Sequence, residues 1–454
     1  MEQNKILEGK LYKNIMLFFL PIWFGTFFQQ LYNTVDAVVV GNFVGKAALA
    51  AVGGPTGTII NLLVNFFVGV SSGAGVVIAM YYGSRNAEKT DTAIHTAVAI
   101  SVAGGLILMA VGIPFSPLFL KWMGTPADIL EQATIYIRIY FFGSVFNLIY
   151  NIGSGILRAM GDSKKPLMFL IVASIVNIIL DIVFVVFMDM GVAGVGYATI
   201  IAQFASAMLV IATLKGLPED IQLMWNKVKL ERNMCGEIFK IGIPNGIQSI
   251  AFSISNIAIM SSINAFGTDT VAAWTAYGKL DAMFWMTVGS FGIATTTFVG
   301  QNFGAKNFDR VKKSVRACNV LSVTAAVILS ALLLTCHPFL YRIFTQDAAV
   351  IEIGATMIKV MVPMYFTFTF IENFSGAMRG VGHSIAPTIL TIVGICVFRV
   401  VWILFVLPTN NTLVTAIISY PISWSLTATI FTIYYMSGIW FKKSIKKRYG
   451  DITI

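Results

Sequence analysis

Gly155-Ile156-Leu157-Arg158-Ala159-Met160-Gly161-Asp162-Ser163-Lys164-Lys165-Pro166 returns later in the chain as Gly376-Ala377-Met378-Arg379-Gly380-Val381-Gly382-His383-Ser384-Ile385-Ala386-Pro387. Gly, Arg, Gly, Ser and Pro stay in register at an offset of 221 residues. Other landmarks repeat at nearly that spacing. Gly45-x-x-x-Leu49-Ala50-Ala51 matches Gly267-x-x-x-Val271-Ala272-Ala273, and Tyr82-Gly83-x-Arg85-Asn86 matches Phe303-Gly304-x-Lys306-Asn307. Pro21, Pro117 and Arg138 find counterparts in Pro244, Pro338 and Lys359. A chain that repeats itself once at half its length is a duplicated module, with the same elements in the same order in each copy.

Composition says what those elements are. Hydrophobic residues make up 57% of the 454 positions and charged residues 11%, with a mean hydropathy of +0.80. A soluble domain carries about a quarter charged residues, so this chain belongs in a bilayer. A hydrocarbon core of about 30 Å takes about 20 residues of helix to cross. Apolar runs of that length or more fall at 15–40, 50–81, 93–119, 129–156, 166–188, 192–214, 238–265, 271–300, 313–340, 349–376, 387–407 and 413–440. The expected fold is all-α and integral to the membrane, with twelve transmembrane helices in two pseudo-symmetric six-helix bundles. The bundles are expected at 1–214 and 238–440, with a linker at 215–237 and a basic tail at 441–454.

Basic residues crowd the loops on one side of this topology: Lys5, Lys10 and Lys13, Arg85 and Lys89, Lys164 and Lys165, the stretch Lys215 to Arg232, Lys306 to Arg316, and Lys442 to Arg448. Only Lys46, Lys121 and Arg342 fall in loops on the other side. The positive-inside rule then puts both termini in the cytoplasm of a multi-pass protein of the inner membrane. The net charge of +10 is read as anchorage to anionic lipid, with no nucleic-acid partner. The first apolar run is long, carries an acid and lacks a small-residue cleavage site, so it is expected to stay in the protein. Cys235, Cys318, Cys336 and Cys396 lack metal-ligand spacing and read as ordinary thiols. Ile221-Gln222-Leu223-Met224-Trp225, followed by Lys227 and Lys229, suggests an amphipathic surface helix in the linker.

An acid at mid-membrane costs about 2.5–3.5 kcal/mol, so each one inside a span is a candidate functional group. Asp36 lies in the first span, four residues after Tyr32 and on the same helical face; Asn177 and Asp181 repeat that spacing in the fifth. Asn151 in the fourth span and Thr199 and Gln203 in the sixth add neutral oxygens. If these faces converge, two carboxyl groups and several oxygen donors form a pocket suited to a proton or Na⁺. The structural alternative for each acid singly is that Asp36 sits near the outer interface and Asp181 caps a helix near Asp189.

The second copy lacks this set, because Trp402 and Phe398 stand where Asp181 and Asn177 would repeat. It offers Glu372, aligned with Asn151, as a second ion or substrate position. Asp281 with Lys279 is expected as a structural ion pair, and Arg399 pairs with an acid or snorkels. Pro21 and Pro244 are expected to bend the first helix of each copy, and such bends are candidate hinges. Three scattered histidines, His95, His337 and His383, with no nucleophile motif and no phosphate loop argue against an enzyme and against ATP as the driver. Gly69 with Gly73, and Gly300 with Gly304, read as close helix packing.

These residues together carry a family resemblance. Tyr32 and Asp36 after Pro21, Tyr136 and Asn151, Asn177-Ile178-Ile179-Leu180-Asp181, Thr199, the paired signatures at Arg158 and Arg379, and Gln301-Asn302-Phe303-Gly304-Ala305 resemble the multidrug and toxic compound extrusion family, in particular its DinF-like prokaryotic branch. The resemblance covers the whole chain. It implies a monomeric antiporter that exports cationic amphipathic drugs by alternating access in exchange for H⁺ or Na⁺, with no other cofactor. It also implies that Asp36, Asn177, Asp181 and Thr199 bind the coupling ion. Tyr32, Tyr136 and Asn151 then line the amino-lobe cavity, and Pro21 bends the first helix; Gln203 and, in the second copy, Glu372 are further substrate-cavity candidates. The chain departs from the NorM-like branch, for no acid follows Pro244 in the seventh helix. A lipid-linked saccharide flippase of the related polysaccharide-exporter group is the alternative function, and it would favour cations where the first copy has acids and amides.

Overall fold

The computed structural model describes residues 5–451. Among them eleven helices are long and apolar enough to cross a membrane, or twelve if the bent pair Ala127–Phe142 and Ser144–Ala159 counts as one span. In chain order we label them α1 (Leu11–Val44), α2 (Lys46–Gly83), α3 (Ala87–Trp122), α4 (the bent pair), α5 (Lys164–Phe187) and α6 (Gly191–Lys215). The second series is α7 (Arg232–Asn264), α8 (Thr268–Gly304), α9 (Phe308–Arg342), α10 (Ala348–Gly380), α11 (Ile385–Thr409) and α12 (Leu413–Met436). A short helix, α13 (Ile439–Tyr449), follows. The expected six-plus-six series of spans is present, with several helices longer than their apolar runs, such as the 36 residues of α3.

The duplication reaches the backbone. Gly45 and Gly267 both precede a helix with φ of 114° and 97°, a region open to a residue without Cβ. Arg85 and Lys306 are left-handed at φ 56° and 57°. The next residue in each copy then caps a helix: Asn86 accepts from the Lys89 amide at 3.0 Å and Asn307 from the Arg310 amide at 3.2 Å. Loss of such a cap costs about 1 kcal/mol. Asn307→Ala is therefore expected to lower the thermal midpoint of the purified protein by a small, measurable amount, with Asn307→Asp restoring it.

The signature sequence packs the same way in both copies. A Cβ on Gly376 would lie 3.0 Å from the Gly292 carbonyl of α8, and one on Gly155 would lie 3.4 Å from Ser71 of α2, at the matching position. The spans also break at matching places: α4 is bent by 49° at Gly143, and α10 tightens to a 3₁₀ turn at Val362–Met364, where Pro363 cannot donate. One difference is local. Gly53-Gly54-Pro55 interrupts α2 after its first turns, whereas Trp274-Thr275-Ala276 carries α8 straight through.

Two compact units result. One comprises Leu17–Gly246, and the other the residues up to Met16 together with those from Ile247 on. The division thus falls inside α1 and α7, a few residues from Pro21 and Pro244, through which both helices run continuously. In the first unit α2 and α7 cross at backbone contact. A Cβ on Gly73 would lie 2.4 Å from the Ile238 carbonyl, and one on Gly69 2.5 Å from the Gly246 amide. Gly242 and Gly246, four apart on α7, meet Gly73 and Gly69, four apart on α2, so two small-residue faces close on each other. In the second unit Arg310 ties down the start of the chain through the carbonyls of Ile6, Glu8 and Gly9.

The linker differs from expectation. In place of an amphipathic helix it has an extended stretch with a single 3₁₀ turn at Trp225–Lys227. Ile221 and Leu223 are buried on either side of a less buried Gln222, an alternation that suits extended chain, and Met224 and Trp225 are both exposed. Backbone hydrogen bonds fix it: the Leu223 amide donates to the Leu214 carbonyl at 3.0 Å and the Met224 amide to His95 Nε2 at 3.0 Å. Lys227 reaches Asp91 at 3.2 Å.

Candidate ion and cargo sites

In the first unit the expected polar set converges. Asp36 of α1 is 8% exposed and Asp181 of α5 is fully buried, while Asn177, Thr199 and Tyr136 are buried with them. The two carboxyl groups lie within electrostatic reach of one another. Asp36 Oδ1, both Asp181 oxygens and both side-chain polar atoms of Asn177 are buried without a hydrogen-bond partner among the described residues. The Thr199 hydroxyl gives its proton to the Val195 carbonyl at 2.9 Å, so its oxygen remains an acceptor. Asp181 neither caps a helix nor meets solvent; it sits where α5 widens into a π-helical stretch at Ile182–Phe187, a distortion often found at functional positions.

A cavity of about 30 Å³ opens beside this set, lined among others by Tyr32, Asn151, Asn177, Thr199 and Gln203. By volume it holds one or two water-sized species. The acids stand outside its lining: Asp36 lies one turn beyond Tyr32, and Asp181 one turn beyond Asn177. Tyr136 lies within electrostatic reach of both Asp36 and Asp181. Gln29, Asn147, Tyr150 and Ser206 also line the cavity, and Tyr140 lies against Gln203. Sequence reading passed over Asn147, Tyr150, Ser206 and Tyr140. Their signal was the i, i+4 spacing of Tyr136 with Tyr140 and of Asn147 with Asn151, the latter pair joined at 3.0 Å.

Glu372 is not part of this set. It belongs to the second unit, where Arg379, one residue of the repeated signature, holds its Oε1 at 2.6 Å. There it lines a larger chamber of about 690 Å³ with Asp281, Arg399 and an aromatic wall that includes Trp274, Trp285 and Trp424. The expected Asp281 to Lys279 ion pair is absent among the described residues. The Asp281 carboxylate instead accepts from the Tyr365 hydroxyl and the Trp285 indole. Residues 279 and 281 are two apart and so point to different faces of α8, which is why the pair cannot close. Arg399 pairs with no acid among the described residues and does not snorkel; it is 2% exposed and stacks at 3.9 Å over Tyr420.

Four buried oxygens of the two acids and Asn177, none of which accepts a hydrogen bond among the described residues, suit a cation bound through oxygen, either H⁺ or Na⁺. No group of three or more His, Cys, Asp or Glu side chains among the described residues forms a transition-metal cluster.

Known proteins agree with this architecture. The chain is 27% identical over 98% of its length to the probable multidrug resistance protein YoeA of Bacillus subtilis (strain 168), covering 97% of that protein. It is 25% identical to the probable multidrug resistance protein NorM of Thermotoga maritima, covering 96% of this chain and 94% of the relative. A multidrug resistance MATE transporter of the MOP superfamily, solved in an outward-facing conformation, superposes with a TM-score of 0.89 at 22% identity, covering 98% of this chain and 99% of that one, which shows a shared fold. The profile of the MatE family matches residues 21–183 and 244–404, one match per repeat. Two matched halves and a series of eleven or, with the bent pair counted as one, twelve spans among the described residues lead to one assignment: the chain is a multi-pass membrane protein that belongs to the MatE family of transporters.

Proposed function

We propose that this protein is a secondary active exporter of cationic amphipathic compounds, working by alternating access in the bacterial cell membrane and driven by inward H⁺ or Na⁺. The observation that carries the reading is the pair of buried carboxyl groups of Asp36 and Asp181, three of whose oxygens have no hydrogen-bond partner and neither of which has a basic side chain at ion-pair distance among the described residues. Each uncompensated buried charge costs several kcal/mol, so the pair demands a cation and releases it only when the site is wetted from one side. Asn177 and Thr199 supply the remaining oxygens, and Tyr32, Tyr136, Asn151 and Gln203 the polar rim on which cargo rests. Cargo and coupling ion then compete for the same negative charge, and that competition is the exchange step. Pro21 and Pro244, each breaking a helix hydrogen bond close to where the two units divide, serve as hinges. The names of the relatives, multidrug resistance proteins, support the cargo class.

The test is ethidium efflux from proteoliposomes in which pH and sodium gradients are imposed independently. One of the two gradients is expected to accelerate export well above the rate at zero gradient, and to do so at pH values where protein-free liposomes stay tight. Equal rates under both gradients and under none would remove the coupling reading.

A further inference from the structure

The last helix of the second unit carries a basic face that is fixed in place. α13 turns off the end of α12 at Gly438, left-handed at φ 67°. Trp440 Nε1 donates to the Tyr435 carbonyl at 3.0 Å, Phe441 packs against Phe303 and Phe308, and the Tyr449 hydroxyl donates to the Phe303 carbonyl at 2.7 Å. Trp440, Phe441, Ser444 and Ile445 are buried, which leaves Lys442, Lys443, Lys446 and Lys447 exposed on the other side. Lys443 and Lys447, four apart, are neighbours on one face. Close to them, in the loop between α10 and α11, His383 is joined through Nε2 to the Tyr434 hydroxyl of α12 at 3.0 Å. Burial, and then the ammonium groups of Lys443 and Lys447, push the His383 ring below the usual histidine range. No carboxylate lies at ion-pair distance from His383 or Lys443 among the described residues, whereas Lys446 pairs with Asp451 at 3.0 Å.

We propose that this corner binds an anionic phospholipid of the cytoplasmic leaflet, its phosphate beside Lys443, Lys447 and the His383 imidazole and its acyl chains along the exposed apolar side chains of α11 and α12. Apolar surface next to the bases favours a lipid over a soluble anion. Ile385 and Ile389 follow His383 on the first turns of α11, Ile433 and Met436 flank Tyr434 at the end of α12, and all four are exposed. The two spans are in close contact, for a Cβ on Gly394 of α11 would stand 2.4 Å from Thr427 Oγ1 of α12. Hydrocarbon-facing surface from neighbouring spans thus ends where the positive charge begins. Basic residues at the end of a span attract anionic headgroups, and lysine meets a phosphate as a compact point charge. A flexible basic tail would lose ordering entropy with each contact, whereas a docked helix presents its lysines already placed. The site makes no use of the Asp36 and Asp181 pair and stands or falls apart from the export mechanism.

The experiment uses the full-length protein, delipidated in non-ionic detergent and titrated with dioctanoyl phosphatidylglycerol or dioctanoyl phosphatidylcholine by calorimetry, corrected for partition into empty micelles. Phosphatidylglycerol is expected to bind about 25-fold more tightly than phosphatidylcholine, since each lysine near a headgroup contributes roughly fivefold. Lys443→Gln with Lys447→Gln is expected to erase that preference. Lys442→Gln with Lys446→Gln, which removes the same charge from the adjoining strip of α13, is expected to keep it. His383→Glu, which places an acid beside the two lysines, is expected to weaken phosphatidylglycerol and leave phosphatidylcholine unchanged. Inorganic phosphate at the lipid's concentration is expected not to compete. Equal binding of the two lipids by the native protein, or a preference that survives the Lys443 and Lys447 changes, would overturn the proposal. So would an equal loss in the Lys442 and Lys446 variant, which would mean diffuse attraction, an unchanged phosphatidylglycerol affinity in His383→Glu, or displacement of the lipid by inorganic phosphate.

Discussion

Asp36→Asn and Asp181→Asn will each abolish gradient-driven export while leaving the folded protein at least as stable as before. The two effects come from one cause. A carboxylate about 4 Å from a cation contributes about 4 kcal/mol at an effective dielectric constant of 20, roughly a thousandfold in occupancy. An amide of the same shape cannot supply that, so the coupling ion no longer enters and the gradient no longer does work. The native pair is also two like charges buried without a donor, which is an arrangement that disfavours the folded state. Removing one charge relieves it, and the thermal midpoint should hold or rise. If these acids were helix caps or interface anchors, the same substitutions would lower the midpoint and spare transport. Efflux and melting measured on the same preparations therefore separate the two accounts. Intact gradient acceleration in both variants would count against the ion site, and a fall in stability with normal transport would replace it with a structural role.

Gly242→Ala and Gly73→Ala will be among the most destabilising single-methyl changes in the chain. A Cβ at Gly242 would stand 2.7 Å from the Val70 carbonyl and 2.8 Å from its Cα, and one at Gly73 2.4 Å from the Ile238 carbonyl. These neighbours are backbone, which cannot turn aside as a side chain can, so α2 and α7 must separate along their whole crossing. Overpacking of ordinary cores costs about 1–3 kcal/mol, and an obstruction between two backbones belongs at or above the top of that range. Gly236, six residues earlier on α7, has nothing within 4 Å of a Cβ. Gly236→Ala should be neutral or stabilising by up to about 1 kcal/mol through helix propensity alone. Melting curves in detergent, read by size-exclusion recovery after heating, decide the matter: similar midpoints for Gly236→Ala and Gly242→Ala would mean that the crossing yields and the close contact is unimportant. Transport adds a second readout, because the start of α7 that this crossing pins is where Pro244 lies.

The membrane class, the duplication and the candidate ion ligands were legible in the chain. Apolar runs must cross a bilayer as helices, since lipid offers no hydrogen bonds to any other backbone. Repeated short motifs carried their conformations with them, down to the left-handed Arg85 and Lys306 and the caps that follow. Asp36, Asn177, Asp181 and Thr199 could be singled out because a polar group inside an apolar run is costly wherever it points. Cost, however, does not say what a group faces. Glu372, read as a second ion or substrate position, bonds to Arg379 seven residues on; Asp281 prefers Tyr365, 84 positions away, to Lys279. The Ile221 to Trp225 segment has the composition of a surface helix and the burial pattern of extended chain, because His95 and Leu214 capture its amides.

What the sequence determined by itself was everything set by local chemistry and by the solvent: helix rather than sheet, two copies, and the short list of polar groups whose burial needs a reason. What only the tertiary structure decided was partnership. Whether Asp36 comes near Asp181, whether Gly242 lies on Val70, and whether Arg399 finds an acid or the face of Tyr420 all depend on contacts between different helices. Such contacts are fixed by the packing of whole helices against one another, and a helix presents the same residues to the reader whichever face it turns inward.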